Sequence, residues 1–323
     1  MLQHDHPFDP TYGCDEAALR ASVPPPKVDG FEDFWRATRA EADAVPLRLE
    51  RQPLPSPKAG WRMSTVSFDS FGGHRIGGWL VEPEGDCHGG LVVGHGYGGR
   101  EGADVPGHRL ACLFPCMPGF HRSARPDLPN DAARHVVHGI AAKETYILRA
   151  CVAAMWSATR ALAELRPDAV GRLGYCGGSF GGGLGALAAP WEPAWRCVRL
   201  DVPTFGHHPW RLRCRCVGSG QAVTLYHRRH PEVVEVLRFY DAAVAATLVR
   251  APSLAVPALF DPAVPPPGQW AVANALPGAR IEAITAGHFS APQEAEDNRR
   301  VEAAWTALLT QAGLVRNAAE AGR

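Results

Sequence analysis

VGRLGYCGGSFGGG, residues 170–183, decides how this chain is read. An apolar run gives way to small residues with one serine set among glycines. Gly177-Gly178-Ser179-Phe180-Gly181 fits the G-x-S-x-G elbow, a sharp strand-to-helix turn that lifts a serine hydroxyl above a sheet. Glycines are needed at the flanks because the turn is strained and lies tight against the neighbouring strand and helix. Val170, Leu173 and Tyr175 predict a short buried strand before the turn, and residues 182–189 predict a helix after it. The same pattern also arises in Gly-rich turns with an incidental serine. The rest of the chain must therefore supply the chemistry.

Composition narrows the possibilities. A length of 323 residues with a hydrophobic fraction of 46% suits a large α/β domain. The 33 basic and 33 acidic residues cancel, so nothing favours nucleic acid or an anionic membrane as partner. The chain has 14 histidines, but no H-E-x-x-H and no paired C-x-x-C. Cys214-x-Cys216 has the wrong spacing for a zinc knuckle, so no metal is expected. Cysteines number nine, and Cys112, Cys116, Cys151 and Cys176 sit in apolar runs, as buried thiols of a reduced, cytoplasmic protein would. The N-terminal MLQHDHPFDP lacks the features of a signal peptide, and no apolar run approaches membrane-spanning length.

Outward from the elbow, residues 1–60 read as an N-terminal extension. Residues 1–28 form a proline-rich, extended lead-in. Asp29-Gly30-Phe31-Glu32 has capping-box spacing, and Phe31, Phe34, Trp35 and Thr38 share one face of the helix that follows. Residues 46–60 read as irregular. Alternation over 63–69 and 76–81 around Gly72-Gly73 predicts an antiparallel hairpin at the sheet edge. Residues 91–94 and 110–117 are further strands, and 143–165 a long helix with Leu148, Val152, Met155, Thr159 and Leu162 on one stripe. Residues 197–202 are strand-like. Residues 204–250, rich in Arg, His and Trp, break the rhythm and read as an inserted lid with helices around 209–226 and 231–247. A strand over 253–260, a helix over 268–276, a last strand over 280–285 and a closing helix over 294–312 complete a single domain spanning 1–323. Strands alternating with helices imply a mostly parallel, doubly wound sheet with ligands above its carboxyl ends.

A nucleophilic serine needs a general base, and the base needs an orienting acid, in the chain order Ser, acid, His for this elbow. Of His207, His208, His227, His230 and His288, only His288 directly follows a late strand; the other four lie in the polar insertion and are expected to be solvated. Asp201, Asp241 and Asp261 are the candidate acids. Asp261 follows the strand preceding the His288 strand, so their loops can meet; Asp201, which also ends a strand, is the runner-up. The oxyanion needs two backbone N–H donors. Phe180 supplies one, and His95-Gly96-Tyr97-Gly98-Gly99 has the shape to supply the other at Tyr97. His95 is expected to hold that loop by hydrogen bonds rather than to act as a second base.

With these residues assembled, the chain resembles the acetyl xylan esterase and cephalosporin C deacetylase family of α/β-hydrolases (carbohydrate esterase family seven). The resemblance rests on FEDFWRATRAEA, FGGHRIGGWLVEP, GHGYGG, HGIAAKETYILR, GRLGYCGGSFGGGLGALAA, RLDVPTF, the run FYDAAVAATLVRAPSLAVPALFDPAVPPPGQWAVANAL, and AITAGH, in order over most of the chain. It implies an α/β-hydrolase fold, removal of short acyl groups from carbohydrate and related small-molecule esters, no cofactor, and a homo-oligomer such as a trimer or hexamer. By matching motif it makes Ser179 the nucleophile, Asp261 the acid, His288 the base, and Tyr97 and Phe180 the oxyanion donors. Two positions depart from the family pattern. Phe180 stands where glutamine is usual, so that residue's polar contacts are lost, and the loop 118–123 replaces an Arg-Gly-Gln motif, which bears on the wall of the site, the acyl donor and the assembly. Readings from other classes are a non-catalytic binding protein on a hydrolase fold, and a hydrolase of another ester or lactone class.

Overall fold

The computed structural model describes residues 2–85 and 87–316. Its strands are β1 (Glu50–Leu54), β2 (Trp61–Ser70), β3 (His74–Pro83), β4 (Gly90–Gly94), β5 (Ala111–Pro115), β6 (Leu173–Gly178), β7 (Trp195–Asp201), β8 (Ser253–Val256), β9 (Ala258–Phe260), β10 (Arg280–Ile281) and β11 (Ile284–Ala286). Its helices are α1 (Glu16–Arg20), α2 (Phe31–Asp43), α3 (Ala132–His135), α4 (Ile147–Leu165), α5 (Phe180–Ala188), α6 (His208–Arg211), α7 (Gly220–His227), α8 (Val233–Leu237), α9 (Ala242–Ala246), α10 (Pro266–Ala275) and α11 (Glu294–Gln311). Nine strands form one sheet in the order β1-β2-β3-β5-β4-β6-β7-β8-β10, and β9 pairs with β11 in a small second sheet. From β5 onward through β4, β6, β7, β8 and β10 every pairing is parallel, as the alternation of strands and helices predicts.

Both faces of the sheet are covered. On one face lies α4, so enclosed that its apolar stripe widens to nearly its whole circumference, with α5 beside it. Trp156 of α4 donates its indole N–H to Ala188 O (3.1 Å) and packs edge-on against Trp35 of α2, which docks the N-terminal helix through its aromatic face. On the other face Val301, Trp305, Leu308 and Leu309 of α11 close over Leu91, Cys112 and Leu254. No helix among the described residues is long and apolar enough to cross a membrane.

Several expectations are corrected. The lead-in contains α1, capped by Asp15, and Asn274 of α10 donates to Leu19 O, Arg20 O and Ser22 O, which fixes it. α2 is capped by Gly30 in a left-handed conformation, not by Asp29. Residues 50–54 form β1, an edge strand that tolerates Pro53 and moves the hairpin β2–β3 one place inward. The expected strand over 253–260 is two strands, because Pro257 has no N–H to continue the ladder. Likewise 280–285 divides into β10 and β11. The insertion holds four short helices, α6 to α9, in place of one pair, and Asp241 is the cap of α9, accepting from Ala243 N–H and Val244 N–H. The long helix begins at Ile147 rather than at Lys143.

β6, flanked by β4 and β7, delivers the elbow to the carboxyl edge of the parallel sheet. Gly181 is hydrogen-bonded to the loop after β4, its N–H donating to His95 O (2.9 Å). A Cβ at Gly181 would stand 2.9 Å from Gly94 C and 3.1 Å from His95 N, contacts between backbones that cannot swing aside. Gly181→Ala is therefore expected to destabilise the fold by about 1–3 kcal/mol, the usual cost of overpacking. Urea unfolding checks this, and an unchanged midpoint would contradict so close an approach.

Candidate active site

Ser179 joins β6 to α5 with φ 54° and ψ −111°, a backbone conformation that a side chain adopts only under constraint. The constraint is visible. Its N–H donates to Asp201 O (2.8 Å), and its carbonyl accepts from Thr204 N–H (3.1 Å) and Gly183 N–H (3.0 Å). The elbow is thus fastened to the end of β7 and to the loop after it.

β9 and β11 run parallel, with Ala258 opposite Ile284 and Phe260 opposite Ala286, so the residues that follow them emerge side by side. Gly287 N–H closes the pair by donating to Phe260 O (2.8 Å). Asp261 and His288 lie next along the two strands. His288 Nδ1 is 2.8 Å from Asp261 Oδ2, and His288 Nε2 is 2.9 Å from Ser179 Oγ. An acceptor carboxylate at Nδ1 requires that nitrogen to carry the proton, which leaves Nε2 to accept from the serine hydroxyl.

Asp261 is fully buried. It accepts from Ala263 N–H (2.8 Å), Val264 N–H (2.9 Å) and the amide of Gln269 (2.8 Å), besides His288. Burial pushes its carboxyl above the ordinary value, but every neighbour is a donor, which favours the ionised form. For His288, burial disfavours the charged ring, while the hydrogen bond and charge of Asp261 outweigh it and hold the ring above its usual 6.5. Gln269, on α10, escaped the sequence reading; nothing in a buried amide's local pattern announces a long-range partner. So did the N-terminal strap. Asp261 N–H donates to Pro10 O (3.1 Å), His4 packs on Phe260, and His6 packs on Phe289.

The runner-up acid is engaged elsewhere. Asp201 pairs with Arg199 (2.9 Å), which also holds Glu302 (2.6 Å). Asp241 binds the N–H groups of His207 and His208. Of the four other histidines, His208 is buried rather than solvated, bonded to Tyr240 O and driven down to about 3 by burial, and His207 caps α6. His230 is exposed, as expected. His95 is enclosed. Its Nε2 accepts from Met117 N–H (2.9 Å), so its Nδ1 carries the proton and donates to Gly96 O (2.7 Å). Burial pushes it down to about 4, which keeps it neutral as a brace between the loops after β4 and β5.

Phe180 is the first residue of α5, where a backbone N–H has no helical partner. The N–H groups of Phe180 and Tyr97 have no hydrogen-bond acceptor among the described residues. Their rings stack at 3.9 Å and 13°, which fixes the two backbones relative to each other. Ser179, His288, Tyr97, Thr204, Val217 and Ala263 line a cavity of about 520 Å³. This constellation sets a hydroxyl beside an imidazole, with a buried carboxylate behind that, and next to the serine two N–H groups without an acceptor among the described residues.

A sequence profile of the acetyl xylan esterase (AXE1) family matches residues 23–290. The structure is similar to that of an acetyl xylan esterase from Paenibacillus sp. R4, with a TM-score of 0.76 and 22% identity over 90% of this chain and 99% of that one. It is equally similar to acetyl xylan esterase 1 from Thermoanaerobacterium sp. JW/SL YS485, with a TM-score of 0.76 and 20% identity over 94% and 99%. An acylaminoacyl peptidase from Pyrococcus horikoshii reaches 0.58 at 14% identity, over 85% of this chain and 43% of the other. The fold is the α/β-hydrolase fold.

The Asp261–His288 pairing has a measurable consequence. The ring of His288 is expected to titrate above 6.5 by NMR, so the neutral form accumulates only as pH rises through that raised value. Asp261→Asn removes the charge and leaves the burial, so the midpoint should fall. Asp201→Asn should leave it in place. A midpoint at or below 6.5 in the wild type, or one indifferent to Asp261→Asn, would contradict the pairing.

Proposed function

The chain belongs to the acetyl xylan esterase family, and on that premise we propose that Ser179, His288 and Asp261 carry its chemistry. It is a serine carboxylic-ester hydrolase that takes short acyl groups, acetyl first, from carbohydrate or related small-molecule esters. The observation that supports these roles is the unbroken line of contacts from Asp261 through His288 to Ser179.

Each step follows from that line. As Ser179 Oγ attacks the ester carbonyl carbon, its proton passes to His288 Nε2. Asp261 stabilises the imidazolium that forms and keeps the ring in the correct tautomer. The carbonyl oxygen becomes an anion, and the N–H groups of Phe180 and Tyr97, already unoccupied, are its donors. Collapse of the tetrahedral species breaks the bond to the alcohol oxygen, which leaves with the proton from His288. Water then attacks the acyl-serine, giving its proton to His288, and the carboxylic acid departs as Ser179 recovers a proton. No cofactor enters. The free state of all nine cysteines fits a reducing compartment, so a cytoplasmic location belongs to the same proposal, as does the homo-oligomer that the family resemblance implies.

Two outcomes test the reading. Ser179→Ala should fold normally and lose about 10⁴–10⁶ in kcat on 4-nitrophenyl acetate, as removal of a triad nucleophile does. Retained turnover would remove the assignment. In a chain-length series of uncharged 4-nitrophenyl esters, kcat/KM should peak at acetyl to butyryl, because Tyr97 and Thr204 line the cavity at Ser179 and a longer apolar chain has to displace side chains packed there. A maximum at hexanoyl or beyond would contradict a small acyl pocket.

A further inference from the structure

Arg211 and Arg166 are both about 6% exposed, yet their surroundings differ. Arg166 is answered by Glu82 (3.0 Å) and Asp168 (2.6 Å). Arg211 forms no ion pair with any carboxylate among the described residues, and its Nη1 is enclosed with no hydrogen-bond partner. A buried charge without a partner costs several kcal/mol, so buried cations are found paired or hydrogen-bonded. The guanidinium lies 5.7 Å from the centre of the Phe205 ring, which offers a weak cation–π contact in place of an anion.

A second positive pole meets it. A Cβ at Gly220 would stand 2.4 Å from Arg211 Nη2. Gly220 opens α7, a helix of eight residues, and a Cβ on a helix tilts toward its N-terminus. The guanidinium therefore sits at the positive end of α7. The cap residue Ser219 provides no side-chain cap bond, and the N–H groups of Ser219 and Gly220 find no backbone acceptor among the described residues. A cation facing a helix N-terminus is a repulsive arrangement unless an anion sits between them.

The place matters as much as the charge. Gly218, Ser219 and Thr204 line the cavity that holds Ser179 and His288. Thr204 is 2% exposed and its hydroxyl has no partner. Arg211 does not itself line the cavity; it lies against Phe205 and Gly220, the chain neighbours of the lining residues Thr204 and Ser219. In the tetrahedral species the leaving oxygen faces His288 and the oxyanion faces Tyr97 and Phe180. The acyl chain is left with the rest of the lining, where Thr204, Gly218 and Ser219 offer hydroxyl and N–H donors and Asn130 and Asp131, the latter an exposed carboxylate at the cap of α3, make up another part.

We propose that Thr204, Arg211 and the first turn of α7 form a subsite for a carboxylate at the far end of a short acyl chain, so that the enzyme also cleaves hemiesters of dicarboxylic acids. This deepens the esterase reading and rests on it. The bond broken is the same ester bond. Water adds across it, the alcohol leaves, and the second carboxylate passes through unchanged. Its role is to neutralise Arg211 and accept from Thr204 and α7, contacts of the charge-assisted kind.

The test compares monomethyl succinate with methyl butyrate, equal in acyl length, by pH-stat. In the wild type the hemiester should be favoured in kcat/KM by about tenfold or more, the scale of a hydrogen-bonded charge. In Arg211→Met the ratio should fall to about one. Gly220→Ala should lower it in the same direction by displacing the guanidinium, which keeps the test alive if Arg211→Met does not fold. Arg211→Lys should keep part of it. A wild-type ratio near one, or a ratio unmoved in both variants, overturns the proposal. A preference for a carboxylate on the alcohol side, read as acetoxyacetate against its amide, without one for monomethyl succinate also overturns it. If no ester is turned over at all, the esterase reading fails separately. The subsite is then judged by whether succinate raises the melting temperature of the wild type and not of Arg211→Met; no rise in the wild type overturns it.

Discussion

The left-handed backbone at Ser179 is the constraint on which the rest depends. A serine does not hold φ 54° unaided. It is held because three strands meet there: β6 carries it, the end of β7 accepts its N–H through Asp201 O, and the loop after β4 accepts Gly181 N–H through His95 O. The same contacts hold the backbone at Phe180 and next to Tyr97, whose N–H groups have no acceptor among the described residues. The strain and the two N–H groups left without an acceptor are therefore consequences of one packing arrangement. Val202, Phe205, His207 and His288 also have positive φ, so irregular backbone gathers around this edge of the sheet and is supported from beneath by the regular strands.

Why Asp261 and His288 meet is a question of two short strands. Pro257 and the break between Ile281 and Ile284 split the expected long strands, and the downstream pieces, β9 and β11, form their own parallel pair. That pair places Asp261 and His288 side by side over Ser179. The N-terminal strap then covers Phe260 and Phe289, the neighbours of the two residues, which are themselves 5.0 Å apart, and excludes water from the acid. Low dielectric behind His288 strengthens its bond to Asp261.

Much of this was legible in the sequence because it is local. The elbow is a five-residue pattern, Asp261 and His288 each follow a strand with a loop, and α4 and α2 carry clear apolar faces. Tertiary pairing is what the sequence concealed. Gln269 supports Asp261 from a different element, and Pro10 reaches Asp261 across 251 residues, with no periodicity to mark either. Strand β1 was hidden because an edge strand with Pro53 need not look like a strand. The insertion was recognisable by composition, but its four short helices obey contacts rather than pattern; Asp241, a candidate acid, turned out to serve as a cap and as the acceptor for the turn at His207. Arg211 could be seen as a residue and not as a charge without a partner, since pairing is a property of the fold.

On the proposal above, one serine, made nucleophilic by His288, does the chemistry. This is tested most directly by treating the folded protein with a fluorophosphonate and locating the adduct by mass spectrometry of its peptides. One equivalent is expected on the peptide containing Ser179, formed at a rate that rises with pH as His288 loses its proton, and none on the heat-unfolded chain. An adduct on another residue, or a folded protein that resists the reagent, would contradict it.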